Sequence, residues 1–118
     1  MPIPPLAAGA VALAGYFALK RILAPRARPE IIQAKLAAGA LVVDVRTPTE
    51  FQRGAFPGAV NVPLSEISSR LPEIPKDRGI VLYCASGARS AAAARVFKQA
   101  GYPDVVNAGG LHDMPRQG

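Results

Sequence analysis

The chain contains no tryptophan, one histidine, His112, and one cysteine, Cys84. A single cysteine excludes a disulfide within the chain and is compatible with a reducing compartment. With one histidine and one cysteine there is no cluster of ligands at metal-binding spacing, so no metal is expected. A glycine fingerprint for dinucleotides is absent too, and no cofactor is expected. Internal repeats and low-complexity tracts are missing. Aromatic residues make up only 6% of the chain, and no Lys/Arg stripe runs between them, which excludes nucleic acid as the expected partner despite a net charge of +6. Four of the fourteen basic residues, Lys20, Arg21, Arg26 and Arg28, sit just behind an apolar segment. From Glu30 onward ten basic residues face eight acidic ones, an ordinary balance.

That apolar segment carries no charge from Pro5 to Leu19. With Lys20 and Arg21 snorkelling, a helix running to Ala24 has about 20 residues and a length of roughly 30 Å, enough to span a bilayer. Pro4 and Pro5 suit a first helical turn and Pro25 stops the helix. A cleaved secretory signal would carry its positive charge before the apolar core, and here the order is reversed. The expectation is a retained single-pass anchor over residues 5–24 in the inner membrane, with the following domain in the cytoplasm. Ala10, Ala14 and Ala18 share one face, a spacing that allows a homodimer through the anchor and that alanine-rich segments also produce by chance. The division expected is therefore 1–29, anchor and basic linker, and 30–118, one folded domain.

Within that domain, Ile31, Ala34, Lys35 and Ala38 followed by Gly39 predict a short amphipathic helix. "LVVDV" at 41–45 reads as a buried strand. Thr47, Pro48 and Glu50 form the start of a capping-box helix that ends at Gly54. A short strand at 59–63 and a short helix at 65–71 capped by Ser65 come next. "GIVLYC" at 79–84 is a continuous apolar strand that needs cover on both faces. A helix from Ser90 to Ala100, closed by Gly101, leads to a last strand at 105–110. Such alternation predicts an α/β fold with a central parallel sheet and helices on both faces, its ligand beyond the carboxyl ends of the strands.

Cys84 ends the most apolar strand, and "CASGAR" leads from it into a helix. Backbone N–H groups from Ala85, Ser86, Gly87, Ala88 and Ser90 can converge on the sulfur, the helix N-terminus adds partial positive charge and Arg89 a full one. These features lower a thiol pKa and favour the thiolate, the form that acts as a nucleophile. The small side chains leave the bowl open to an anion. His112 reads as a surface residue.

"DVRTPTEFQRGAFPGAVNVPL" at 44–64 resembles the upstream signature of single-domain rhodaneses, and "VLYCASGARSAAAARVFKQAGYPDVVNAGGL" at 81–111 resembles their active-site loop, following helix and last strand. The resemblance covers nearly the whole domain from Glu30 to Leu111. It implies a sulfurtransferase in which Cys84 takes sulfane sulfur from thiosulfate or a persulfide donor and passes it to cyanide or a thiol. It further implies that Arg89 orients the donor, that Arg46 contributes to substrate binding, and that Asp44 and Glu50 give structural support; by spacing, Glu50, four residues beyond Arg46, is expected to pair with it. Four residues separate Cys84 from Arg89, whereas related phosphatases and arsenate reductases of this fold have five, so the narrower bowl favours a single sulfur atom. Many members carry histidine where Ala55 stands and tryptophan after the "GGL" triplet where this chain has "HDM", and no clear edge strand precedes Ile31. The other reading is a catalytically silent, membrane-tethered binding or persulfide-carrier module. Retention of Cys84, Arg89 and an all-small loop favours the enzyme.

Overall fold

The computed structural model describes residues 25–116. In chain order these form α1 (Pro29–Ala37), β1 (Leu41–Asp44), α2 (Pro48–Gln52), β2 (Val60–Asn61), α3 (Ile67–Arg70), β3 (Ile80–Cys84), α4 (Ala88–Gln99) and β4 (Val105–Gly110). Short 3-10 turns flank α3, at Leu64–Glu66 and Leu71–Glu73, and a third follows β4 at Leu111–Asp113. The four strands make one sheet in the order β2-β1-β3-β4, all pairs parallel. This is the α/β architecture that the alternation of strands and helices predicts.

All five residues of β3 are buried, as a central parallel strand covered on both faces requires. The two-residue period sends Ile80, Leu82 and Cys84 to one face, where they pack with Val43, Ile67, Ala93, Ala94 and Phe97. Val81 and Tyr83 point to the other, against Ile32, Phe56 and Met114. Cys84 therefore faces α4, whose buried alanines let helix and sheet approach closely.

The pairing of β3 with β4 slips once. Leu82 is opposite Asn107 and Tyr83 is opposite Gly109, so Ala108 is the extra residue of a bulge. The slip brings Gly110 opposite Cys84. A Cβ on Gly110 would stand 2.4 Å from the Ala85 carbonyl oxygen, so only glycine allows the last strand to approach the peptide that follows Cys84.

Two local expectations are corrected. The buried isoleucine of α1 is Ile32, while Ile31 is 44% exposed. A helix starting at Pro29 turns Ile32 and, one turn on, the partly buried Leu36 towards the sheet, leaving Ile31, Ala34 and Ala38 on its flank. Ser65 is not a cap, because the chain enters α3 through a 3-10 turn in which the Glu66 N–H donates to Pro63 O. The edge strand missing before Ile31 is represented by a single parallel bridge, Arg26 to Asn107.

The expected anchor at 5–24 and its homodimer contact lie outside the described residues. Among the described residues no helix is long and apolar enough to cross a membrane.

Candidate active site

β3 ends at Cys84 and α4 begins at Ala88, and three residues make the turn between them. Gly87, the residue before α4, has φ +104°, a conformation that side chains rarely adopt. It aims its own N–H at the Cys84 sulfur, with N···Sγ 2.9 Å. Burial pushes the thiol pKa up, but the Ser90 hydroxyl and the N–H groups of Ser90, Ser86 and Gly87 outweigh it, so the net direction is down. The sulfur stands at a convergence of donors, an arrangement that stabilises negative charge at one atom.

Ser90 is fully buried beneath the loop. Its Oγ lies 3.4 Å from Cys84 Sγ and 2.7 Å from Asn107 Oδ1. Asn107 Oδ1 also accepts from the Gly109 N–H at 2.9 Å, which fixes the orientation of the amide. Gly87 O at 3.1 Å and Gly109 O at 3.4 Å are also within reach of the Ser90 hydroxyl, whose single proton can go to any of these four acceptors; a thiolate, the charged acceptor among them, draws it most strongly. Asn107 escaped the sequence reading, although a polar residue within an apolar strand was its signal.

The profile of the rhodanese-like domain family matches residues 28–114. The chain belongs to the rhodanese family. A sulfurtransferase of Allochromatium vinosum is 47% identical to this rhodanese-like domain over 79 residues, 66% of this chain and 74% of that protein. The thiosulfate sulfurtransferase PspE of Escherichia coli is 36% identical over 74 residues, 61% of this chain and 71% of that one. Among solved structures, a rhodanese from E. coli with anions superposes with a TM-score of 0.61 at 35% identity, covering 68% of this chain and all of that one. The human single-domain sulfurtransferase TSTD1 gives a TM-score of 0.66 at 26% identity, over 76% of this chain and 94% of that one.

The charged residues of this rhodanese-like domain pair differently from what their spacing suggests. Glu50 does not meet Arg46. Its carboxylate forms a two-pronged ion pair with Arg89, at 2.7 and 2.9 Å, and closes the capping box on the Thr47 N–H at 3.1 Å. The helix geometry of α2 explains the choice: the capping box turns Glu50 back to the start of α2, where Arg89 arrives from the first turn of α4. Arg89 thereby ties α2 to the loop, and its charge acts on Cys84 from the flank.

Arg46 does not face the bowl either, which corrects its assignment to substrate binding. It is 7% exposed, its Nη2 donates to Asp44 Oδ2 and to Gly54 O, both at 2.7 Å, and its guanidinium lies over the Tyr83 ring. Asp44 also accepts from the Arg46 backbone N–H at 2.9 Å, in keeping with a structural role. Tyr83 was not anticipated as a site residue. Its hydroxyl accepts from the Phe56 N–H at 2.9 Å, and burial, with Asp44 beside it, pushes its pKa up to about 12, so it remains neutral. Ser86, Gly87 and Ala88 line a recess beside the loop, and Ala85 O packs against Gly110. His112 is exposed, as expected, yet its ring lies against Gly110 at the rim of the loop.

Two outcomes follow from this geometry. Ser90→Ala removes the side-chain donor, so the pH midpoint of Cys84 alkylation by iodoacetamide should move up, and Ser90→Thr should restore it. An unchanged midpoint in the alanine variant would eliminate the hydroxyl from the site. The second outcome concerns Glu50, whose pKa is lowered to about 2 first by Arg89 and then by the Thr47 N–H. A depressed carboxylate contributes stability that is complete above its ordinary value near 4.5 and lost as pH falls through about 2. The wild-type melting temperature should therefore drop more steeply than that of Glu50→Gln between pH 4.5 and 2. Parallel curves through that window would mean that the pair adds nothing to stability.

Proposed function

We propose that the chain is a sulfurtransferase that carries sulfane sulfur on Cys84. The observation that carries this reading is the 2.9 Å approach of the Gly87 N–H to Cys84 Sγ in a loop only four residues long between Cys84 and Arg89. The thiolate attacks the outer sulfur of thiosulfate, a new S–S bond forms, and sulfite departs with the electron pair of the bond that breaks. Cyanide or a thiolate then attacks the outer sulfur of the persulfide, and the pair from the Cys84 S–S bond returns to Sγ. In both states one negative charge stays inside the ring of N–H groups, so the loop stabilises thiolate and persulfide alike without reorganising. Arg89 contributes its charge beside the sulfur and, through Glu50, holds the loop against α2. The small side chains of Ala85, Ser86, Gly87 and Ala88 leave the donor anion access. Sulfurtransferase relatives at up to 47% identity support the assignment.

The charge pattern of residues 1–29 supports the further reading that residues 5–24 anchor this domain in the inner membrane, with residues 30–118 in the cytoplasm.

After incubation with thiosulfate, mass spectrometry of the wild type should show one added sulfur, about 32 Da, while Cys84→Ser should fold normally and gain nothing. Failure of the wild type to gain that mass with several sulfane donors would overturn the enzyme reading. Deletion of residues 1–24 should move the protein from the membrane pellet to the supernatant with transfer kinetics unchanged. Recovery of the full chain in the supernatant would refute the anchor.

A further inference from the structure

Gly109 is the point at which the end of β4 meets the loop. A Cβ on Gly87, whose N–H points at the sulfur, would stand 3.2 Å from Gly109 Cα, so the two backbones pack directly on each other. The peptide that joins Gly109 to Gly110 links two further groups. Its carbonyl oxygen lies 3.4 Å from the Ser90 hydroxyl, itself 3.4 Å from Cys84 Sγ, while its N–H points the opposite way and donates to Asp113 Oδ2 at 2.9 Å. Gly109 thus lies against Gly87 and Ser90, both of which present donors to the sulfur.

Two charged residues cover it. A Cβ on Gly109 would stand 2.6 Å from Arg26 Cδ and 2.8 Å from Asp113 Oδ2, so the space a side chain would take is filled by the arginine stem and the carboxylate. Arg26 Nη1 donates to Asp113 Oδ1 at 2.7 Å, and the Ala27 N–H donates to Asn107 O at 2.8 Å, which lays Arg26 along β4. Its place in the sequence assigns Arg26 to the linker ahead of the domain, yet it is laced into the edge of the sheet. The Gly110 N–H and the Arg26 guanidinium hold the Asp113 carboxyl below its usual range, so it is an ionised acceptor at neutral pH. His112 Nε2 approaches the same carboxylate only to 3.6 Å. Neither Arg26 nor Asp113 hydrogen-bonds to Cys84. Gly109, at φ +93°, and Gly110 have no side chains to fix their shared peptide, and such a backbone keeps one orientation only where its surroundings impose it.

We propose that Asp113 and Arg26 are positioning residues for Cys84, clamping the Gly109–Gly110 peptide so that the Gly87 N–H and the Ser90 hydroxyl stay directed at the sulfur. The proposal deepens the sulfurtransferase reading and rests on it for the reaction that the sulfur performs, whereas the positioning itself is read from the thiol. The carboxylate fixes the peptide by its N–H, and the arginine stem keeps Gly109 pressed on Gly87. Without the clamp the peptide can turn, the contact with Gly87 loosens and the thiolate loses part of the stabilisation that its donors supply.

The test measures the pH midpoint of Cys84 alkylation by iodoacetamide in the full chain, at a temperature well below the melting point of each variant. Asp113→Ala should move the midpoint up and slow alkylation at pH 7 by about threefold or more. Loss of a negative charge by itself would move the midpoint down, so the sign separates positioning from a bare field effect. Asp113→Asn keeps an oxygen for the Gly110 N–H and should recover most of the wild-type rate. Arg26→Ala uncovers Gly109 and should also raise the midpoint, while Arg26→Met, which keeps the stem without the charge, should fall between it and the wild type. As a control, Asp104→Ala breaks the ion pair with Lys35 at the opposite edge of the sheet and should leave the midpoint in place, whatever it does to the melting temperature. A midpoint that falls or stays put in Asp113→Ala, or an equal shift in Asp104→Ala, overturns the proposal. Should Asp113→Ala not fold, an Arg26→Ala midpoint equal to that of the wild type overturns it. A wild type that never gains sulfur from sulfane donors refutes the sulfurtransferase reading, and the alkylation midpoints still decide whether the clamp positions the thiol.

Discussion

Everything at the carboxyl edge of this sheet depends on one constraint: the chain must leave a buried strand at Cys84 and enter a helix at Ala88 with its intervening N–H groups satisfied. Cys84 and Ser90, on the inner side of this turn, are at most 1% exposed, and an unmet buried donor costs about 1–3 kcal/mol. The sulfur is the acceptor around which those donors gather, with Gly87 N at 2.9 Å. A thiolate answers that demand far better than a thiol, because the charged acceptor makes the stronger bond. The same geometry that allows the turn to fold therefore favours the reactive form of its cysteine.

The remaining charges keep this turn in place without competing for the sulfur. Asp44 and Arg46 neutralise each other below the bowl, and the Nη2 bond to Gly54 O fastens the end of the α2 segment to the strand beneath it. A pair so buried adds little net stability over apolar residues of equal size, but removal of either partner strands a charge. Its value here is positional. Glu50 and Arg89, each about a third exposed, form the outer tie, where a two-pronged geometry gives direction to a contact that solvent would otherwise weaken. The two pairs lie at two depths and draw α2 against the loop from below and from the side.

Elements whose signals are local were legible in the sequence. The capping box at Thr47 and Glu50, the buried strand ending at Cys84 and the strand at 105–110 all follow from neighbours within a few residues. What the sequence could not show was pairing set by the tertiary fold. Glu50 and Arg46, four positions apart, looked like partners, yet the carboxylate reaches across 39 residues to Arg89, because a capping box had already fixed its direction. The phase of α1 was ambiguous for a similar reason: Ile31 and Ile32 are adjacent, and only packing against the sheet selects the second. Asn107 belongs to the same class, since a strand pattern names its neighbours along the chain but not the pairing that sets it opposite Leu82 or the contact with Ser90 on α4.

The departures from regular structure also cluster. Ala108 interrupts the β3–β4 ladder, Gly87 and Gly109 take positive φ, and Ser90 and Asn107 place polar groups in the core. Each of these would weaken an ordinary domain, through a lost ladder bond, a flexible backbone or a desolvated hydroxyl. Here each one serves an adjacent contact. The bulge brings Gly110 opposite Cys84, Gly110 lets Ala85 O approach, and Asn107 Oδ1 gives the buried Ser90 hydroxyl an acceptor at 2.7 Å beside the sulfur. A core optimised for stability alone would have replaced that pair with apolar side chains and left the ladder unbroken. Their concentration within one turn of Cys84 is the physical argument that this edge of the sheet is shaped by the charge on its sulfur rather than by packing.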